Sequence, residues 1–231
     1  MHLFLHGFLG QKEDWDPVFS HLPASLPRKA IDLPGHGDTP LSPGIVAAVH
    51  EKAKGAQTLI GYSAGGRIAL SLKQKYPSQY KNLILLSTNI ATLNEAEKKQ
   101  RWEVDQAWIQ MLQTEPFDLF LEKWYEQPLF SSLKTHPQFT KILQKRKAQN
   151  PHQMASFLER FSVARQKRLE IPQEAFFIFG KEDLKYQALY RRLLKLKQIF
   201  AADNAGHAIH LEQPKMCAEI IQGVIDDNTQ V

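Results

Sequence analysis

One cysteine in 231 residues, Cys217, leaves no second thiol with which to close an internal disulfide. No apolar stretch approaches the ~20 residues that a bilayer-spanning helix needs, which excludes a membrane span. No group of Cys and His has metal-ligand spacing, and no glycine-rich turn matches a phosphate loop or a dinucleotide fingerprint, so neither a metal nor a cofactor is expected. The start, Met1-His2-Leu3-Phe4-Leu5-His6-Gly7, carries no basic leader before its brief apolar run. A cytoplasmic protein is the expectation. The chain also lacks any long basic block. Its 29 Lys and Arg are interleaved with 24 Asp and Glu, so the net charge of +5 does not point to nucleic acid. Nothing in the pattern speaks to oligomeric state.

What is present is enough apolar material, 43% of residues, to bury one sizeable core. Short apolar runs closed by turn residues predict buried strands at Leu3–Leu5, Lys29–Leu33, Thr58–Gly61, Asn82–Leu86, Ala175–Phe179 and Gln198–Ala201. After Gly65, the spacing of Ile68, Ala69 and Leu72 marks one face of a helix, and Pro77 ends it. Strand and helix alternate, which implies a parallel sheet. From Asn89 to Glu170 no strand is recognisable, and helical stretches follow one another at Glu95–Gln113, Phe117–Tyr125 and Gln138–Ala148. The expected organisation is an α/β core over 1–88 and 171–231 carrying a helical cap over 89–170. A helix over Tyr186–Leu194 and a closing helix over Ala208–Val224, interrupted at Pro214, complete the core.

Gly61-Tyr62-Ser63-Ala64-Gly65 fits the nucleophile elbow, in which small residues flank a serine at a tight turn from strand to helix. The serine hydroxyl is a poor nucleophile or base by itself. It needs a histidine, held in turn by a carboxylate, to take its proton. The chain order for this elbow is Ser, then Asp or Glu, then His. His207 and Asp183 follow the last two predicted strands, so they lie where an open α/β sheet places its site. Glu182 competes for the role of the acid and His210 for that of the base. Phe8, directly after the first strand, and Ala64, directly after the serine, would supply the two N–H groups of an oxyanion hole. The turn Pro34-Gly35-His36-Gly37 is read as a turn without chemistry.

With these residues in place the chain resembles the α/β-hydrolase fold and, more closely, the 2-succinyl-6-hydroxy-2,4-cyclohexadiene-1-carboxylate synthases of menaquinone biosynthesis. The matching segments are His6-Gly7-Phe8-Leu9-Gly10 with Trp15, Asp32-Leu33-Pro34-Gly35-His36-Gly37, Gly61-Tyr62-Ser63-Ala64-Gly65-Gly66-Arg67, and Ala205-Gly206-His207 with Glu212-Gln213-Pro214. Within the cap they are Arg101, Asp105, Trp108, Thr114-Glu115-Pro116 and Trp124-Tyr125-Glu126-Gln127-Pro128-Leu129-Phe130. The resemblance implies a small polycarboxylate substrate and a lyase reaction. In it Ser63, activated by His207 and Asp183, removes a proton beside a ketone and pyruvate is expelled. It also implies that Arg67, Arg101 and Arg146 hold carboxylates and that Tyr62 and Trp124 line the pocket. Arg67 also follows Ser63 by one helical turn, so both can face one cavity. Relative to the family the chain begins at the His-Gly strand, which predicts a sheet without the superfamily's two leading strands. Thr39 stands where serine is common, and the cap segment Phe157–Arg168 lacks the usual glycines. The same triad would serve a carboxylesterase or thioesterase working through an acyl-serine. A binding module that has lost activity is the third reading, and the intact triad residues speak against it.

Overall fold

A computed structural model describes residues 1–90, 93–193 and 199–229. Six strands form one sheet: β1 His2–Leu5, β2 Arg28–Ile31, β3 Thr58–Tyr62, β4 Asn82–Leu86, β5 Ala175–Gly180 and β6 Ile199–Ala202. The helices are α1 Asp16–Phe19, α2 Ile45–Lys52, α3 Ala64–Lys75, α4 Glu95–Thr114, α5 Phe117–Tyr125, α6 Ser131–Thr135, α7 Phe139–Lys147, α8 Pro151–Phe161, α9 Leu184–Leu193, α10 Ile209–Glu212 and α11 Pro214–Thr229. The strand order is β2-β1-β3-β4-β5-β6, and every pairing is parallel. The six predicted strands are all present. Gln198 and Leu194, predicted at the edges of β6 and α9, lie outside the described residues.

The strands are apolar on both faces because both faces are covered, as a parallel sheet requires. Phe4, Ile60, Ile84 and Ile178 point to one side, into a cluster that takes in Val18 of α1 and Cys217 and Ile221 of α11. Leu3, Leu59, Leu83 and Phe177 point to the other, against Val49 of α2, Ile68 of α3 and Tyr190 of α9. The period-two alternation of a strand thus feeds two cores at once.

Between β4 and β5 the described chain is helical, as expected. Asn94 starts α4 with a reciprocal capping box: its side chain accepts from the Glu97 N–H at 2.9 Å, and the Glu97 carboxylate accepts from the Asn94 N–H at 2.8 Å. Asn150 caps α8 with a single bond, its side chain accepting the Gln153 N–H at 3.1 Å, and Pro151 sits in the first turn where its missing N–H costs nothing. The apolar faces of these helices, through Ile109, Phe120 and Leu158, join the first core cluster. No described helix is long and apolar enough to cross a membrane.

Candidate active site

The strand order reverses beside β1, since β2 lies on one side of it and β3 on the other. A crevice opens at such a reversal, at the carboxyl ends of the strands. Phe8 follows β1 there, and Ser63 follows β3. Gly65 and Gly61 make the turn possible. A side chain on Gly65 would collide with the carbonyl oxygens of Leu5 and His6, and one on Gly61 would lie 2.5 Å from the Gly66 Cα. The strain falls on Ser63, held at φ 50° and ψ −110°, a conformation that costs on the order of 1–3 kcal/mol and persists only where its surroundings impose it. Its N–H donates to the Leu86 carbonyl at 2.9 Å, which ties the elbow to β4.

Three sequence-predicted residues meet in a row. The His207 Nε2 lies 3.4 Å from the Ser63 Oγ, and its Nδ1 lies 2.8 Å from the Asp183 Oδ2. The other oxygen of Asp183 accepts the Tyr186 N–H at 3.2 Å, and the Tyr186 ring packs 5.0 Å from that of His207. Asp183 and His207 are buried, whereas Glu182, the rival acid, is exposed. His210, the rival base, lies fully buried in α10 between the rings of Trp15 and Tyr62, and among the described residues neither of its ring nitrogens has a hydrogen-bond partner. Burial pushes its pKa down to about 3.

Phe8 and Ala64 line the same space, and among the described residues neither backbone N–H donates to a protein acceptor. The Phe8 loop is held by two buried neutral histidines. The His6 Nε2 accepts the Leu33 N–H at 3.0 Å, and the His36 Nε2 accepts the Leu9 N–H at 3.2 Å. Desolvation lowers the pKa of both. The turn around His36, expected to be only a turn, therefore braces the loop that carries Phe8.

Over these groups lies a cavity of about 640 Å³, roofed by residues from the helices between β4 and β5. Tyr62, Trp124 and Arg67 all line it. Trp124 is also part of an aromatic stack, 5.1 Å from Phe8 and 5.7 Å from Phe120. Arg67 is buried, with Nη1 donating to the Phe161 carbonyl at 2.8 Å and the guanidinium 4.7 Å from the centre of the Phe161 ring. Among the described residues no carboxylate pairs with it. Burial drives its pKa down to about 10, which still leaves it cationic at neutral pH.

The other two predicted arginines reach the cavity wall already paired. Arg101 lies 2.6 Å from the fully buried Asp105, which also accepts the Ser162 hydroxyl at 2.6 Å. Arg146, which also lines the cavity, is the more fully engaged of the two. Its fork grips both oxygens of Asp14 at 3.0 and 2.7 Å, and its Nε donates to the Tyr125 hydroxyl at 3.3 Å, so it ties α7 to the loop after β1. Bidentate geometry, expected to face a ligand, is taken up inside the protein.

One residue went unrecognised by role in the sequence. The buried Glu212 accepts the Gly206 N–H at 2.8 Å and the Ala208 N–H at 2.9 Å, bracketing His207 with one carboxylate. The available signal was the acidic residue five positions after the histidine, just before Pro214.

The profile of the Alpha/beta hydrolase family matches residues 3–220. A 2-succinyl-6-hydroxy-2,4-cyclohexadiene-1-carboxylate synthase of Salmonella paratyphi C is 30% identical over 99% of this chain and 92% of its own length. The chain belongs to this synthase family, within the α/β hydrolases. A synthase of Klebsiella pneumoniae is 30% identical over 92% of this chain and 88% of its own length. The chloroplastic protein PHYLLO of Arabidopsis thaliana is 29% identical over 92% of this chain, which spans only 14% of that longer protein. The structure of MenH from S. aureus superposes with a TM-score of 0.89 at 27% identity, covering 99% of this chain and 94% of that one. A thermophilic esterase from Thermogutta terrifontis shares the fold at a TM-score of 0.76 and 21% identity.

Proposed function

We propose that this enzyme is a carbon–oxygen lyase of menaquinone biosynthesis. It would eliminate pyruvate from 2-succinyl-5-enolpyruvyl-6-hydroxy-3-cyclohexene-1-carboxylate to give 2-succinyl-6-hydroxy-2,4-cyclohexadiene-1-carboxylate. The observation that carries this reading is Arg67, a buried cation facing the cavity one helical turn from Ser63 with no carboxylate ion-paired to it among the described residues. A neutral acyl substrate gives no reason to keep a dehydrated guanidinium there, whereas an anion compensates it.

In this mechanism the Ser63 oxygen takes the proton beside the substrate ketone as its own hydroxyl proton passes to the His207 Nε2. Asp183 holds the imidazole in the required tautomer and stabilises the imidazolium. The electron pair moves onto the ketone oxygen, where the N–H groups of Phe8 and Ala64 stabilise it. When the enolate collapses, the C–O bond to the enolpyruvyl group breaks. The departing enolate takes back a proton and leaves as pyruvate. The 3.4 Å separation of Ser63 and His207 is slightly long for proton transfer, and contacts of this kind tighten when substrate fills the site. Residues 89–170 act as the cap over a core formed by 1–88 and 171–231, with Trp124 and Tyr62 as apolar walls that exclude water.

Incubating the purified enzyme with this substrate should release pyruvate, and Ser63→Ala should lower turnover by at least ~10³-fold. Rapid ester or thioester cleavage without pyruvate release would make the protein a hydrolase instead. Full turnover by Ser63→Ala would remove the serine from the mechanism.

A further inference from the structure

The named substrate bears a ring carboxylate, a succinyl carboxylate and an enolpyruvyl carboxylate. Of the three arginines at the cavity wall, Arg146 is committed to Asp14 and Arg101 is paired with Asp105. Only Arg67 is left without a carboxylate partner among the described residues. A polyanion held by a single unpaired cation would be poorly compensated, so the substrate calls for another cation on the wall.

Lys185 meets the requirement. It lines the same cavity, two residues after Asp183 in the first turn of α9. Among the described residues no carboxylate forms an ion pair with it, and its ammonium lies 5.9 Å from the centre of the Tyr186 ring. Its surface is open at the cavity mouth, yet the surrounding wall crowds the charge. Desolvation is the largest cause that moves its pKa below the ordinary lysine value, the nearby positive charge of Arg101 adds to it, and the Asp183 charge offsets them only in part. Both effects are relieved by an anion at this place.

Resting on the polycarboxylate reading above, we propose that Lys185 is a specificity-determining residue that binds a second substrate carboxylate at the cavity mouth. Arg67 takes the deeper one, and the role expected for Arg146 passes to Lys185. The arrangement is graded. A long, exposed lysine side chain at the mouth meets the anion first, and the buried guanidinium one helical turn from Ser63 fixes its orientation.

The test compares wild type, Lys185→Met and Lys185→Arg in pyruvate release at low and high salt. It also measures by calorimetry the binding of tricarballylate, a simple tricarboxylate. Because the mouth is partly solvated, Lys185→Met should raise KM about three- to tenfold at low salt, with a smaller change in kcat. Lys185→Arg should restore most of the loss, and the gap should narrow as salt screens the pair. Tricarballylate should bind Lys185→Met correspondingly more weakly. If wild type binds tricarballylate in this lysine-dependent way but releases no pyruvate, the reaction fails while the anion site stands. If KM and tricarballylate affinity in Lys185→Met stay within about twofold of wild type, or if tricarballylate does not bind at all, the proposal is overturned.

Discussion

Replacing Arg146 by Met separates a structural arginine from a substrate-binding one. The side chains of Arg146 and Asp14 are each only 4% exposed. Burial would raise the Asp14 pKa, but the guanidinium outweighs it and holds the carboxyl below its usual range; Asp14 in turn raises Arg146 despite its desolvation. Removing the guanidinium leaves a buried carboxylate whose remaining donor among the described residues is the Gln11 N–H at 3.1 Å. Breaking a buried pair in this way costs about 3–5 kcal/mol, which for a chain of this size lowers Tm by roughly 10 °C. Adding Asp14→Asn to Arg146→Met removes the stranded charge and should recover part of the loss, giving a favourable coupling in a double-mutant cycle. The sign with pH follows from the depressed Asp14 pKa. The pair contributes fully above the unfolded carboxyl value, and its contribution fades as pH falls through the folded one. The deficit of Arg146→Met should therefore shrink in acid. Thermal melts across pH, together with KM for the substrate, decide the matter. A variant within about 1 kcal/mol of wild type in stability, yet with KM raised more than tenfold, would show that the guanidinium serves the substrate rather than Asp14.

Two further outcomes follow from buried groups. Glu212→Gln keeps one acceptor for the two N–H groups around His207 and turns an amide N–H₂ toward the other. Steady-state kinetics should show kcat reduced about tenfold or more with KM little altered, whereas wild-type kcat would mean that the loop holds itself. His6, His36 and His210 all have pKa values lowered by burial, so their neutral forms stabilise the fold fully above about pH 6.5. As pH falls below that value toward the folded pKa, each removes about 1.4 kcal/mol per unit. Tm should fall between pH 7 and 5, less so in His210→Phe, which exchanges an unpartnered imidazole for a ring of similar shape; an unchanging wild-type Tm would refute this.

The parts legible in the sequence were those written in local pattern. Thr58–Tyr62 and Asn82–Leu86 are almost wholly apolar because both sheet faces are covered, and the Gly-x-Ser-x-Gly spacing is set by backbone that touches backbone at Gly65. Helix α2 was not foreseen. Its Ile45-Val46-Ala47-Ala48-Val49 run carries β-branched residues without a polar stripe to mark a helical period. Ser63, Asp183 and His207 could be singled out together because each follows a strand at its carboxyl end. Arg146 could not, because its partner Asp14 lies 132 positions away and only the folded chain brings an acid to that fork. Glu212 was hidden for a related reason: its two contacts depend on the bend that folds α10 back beneath His207.

The register between β4 and β5 pairs Leu83 with Ala175, so a direct neighbour contact in the sheet encloses roughly ninety residues of intervening chain. The entropy of closing such a loop rises only logarithmically with its length, and a twofold longer excursion adds about 0.6 kcal/mol. The length of what is threaded between those two strands is therefore only weakly constrained by closure. Its sequence is held more tightly where it docks on the core, as at Arg146 on Asp14. Away from such docking points, a change in helix length above Ser63, His207 and Asp183 would reshape the cavity at little cost in closure entropy.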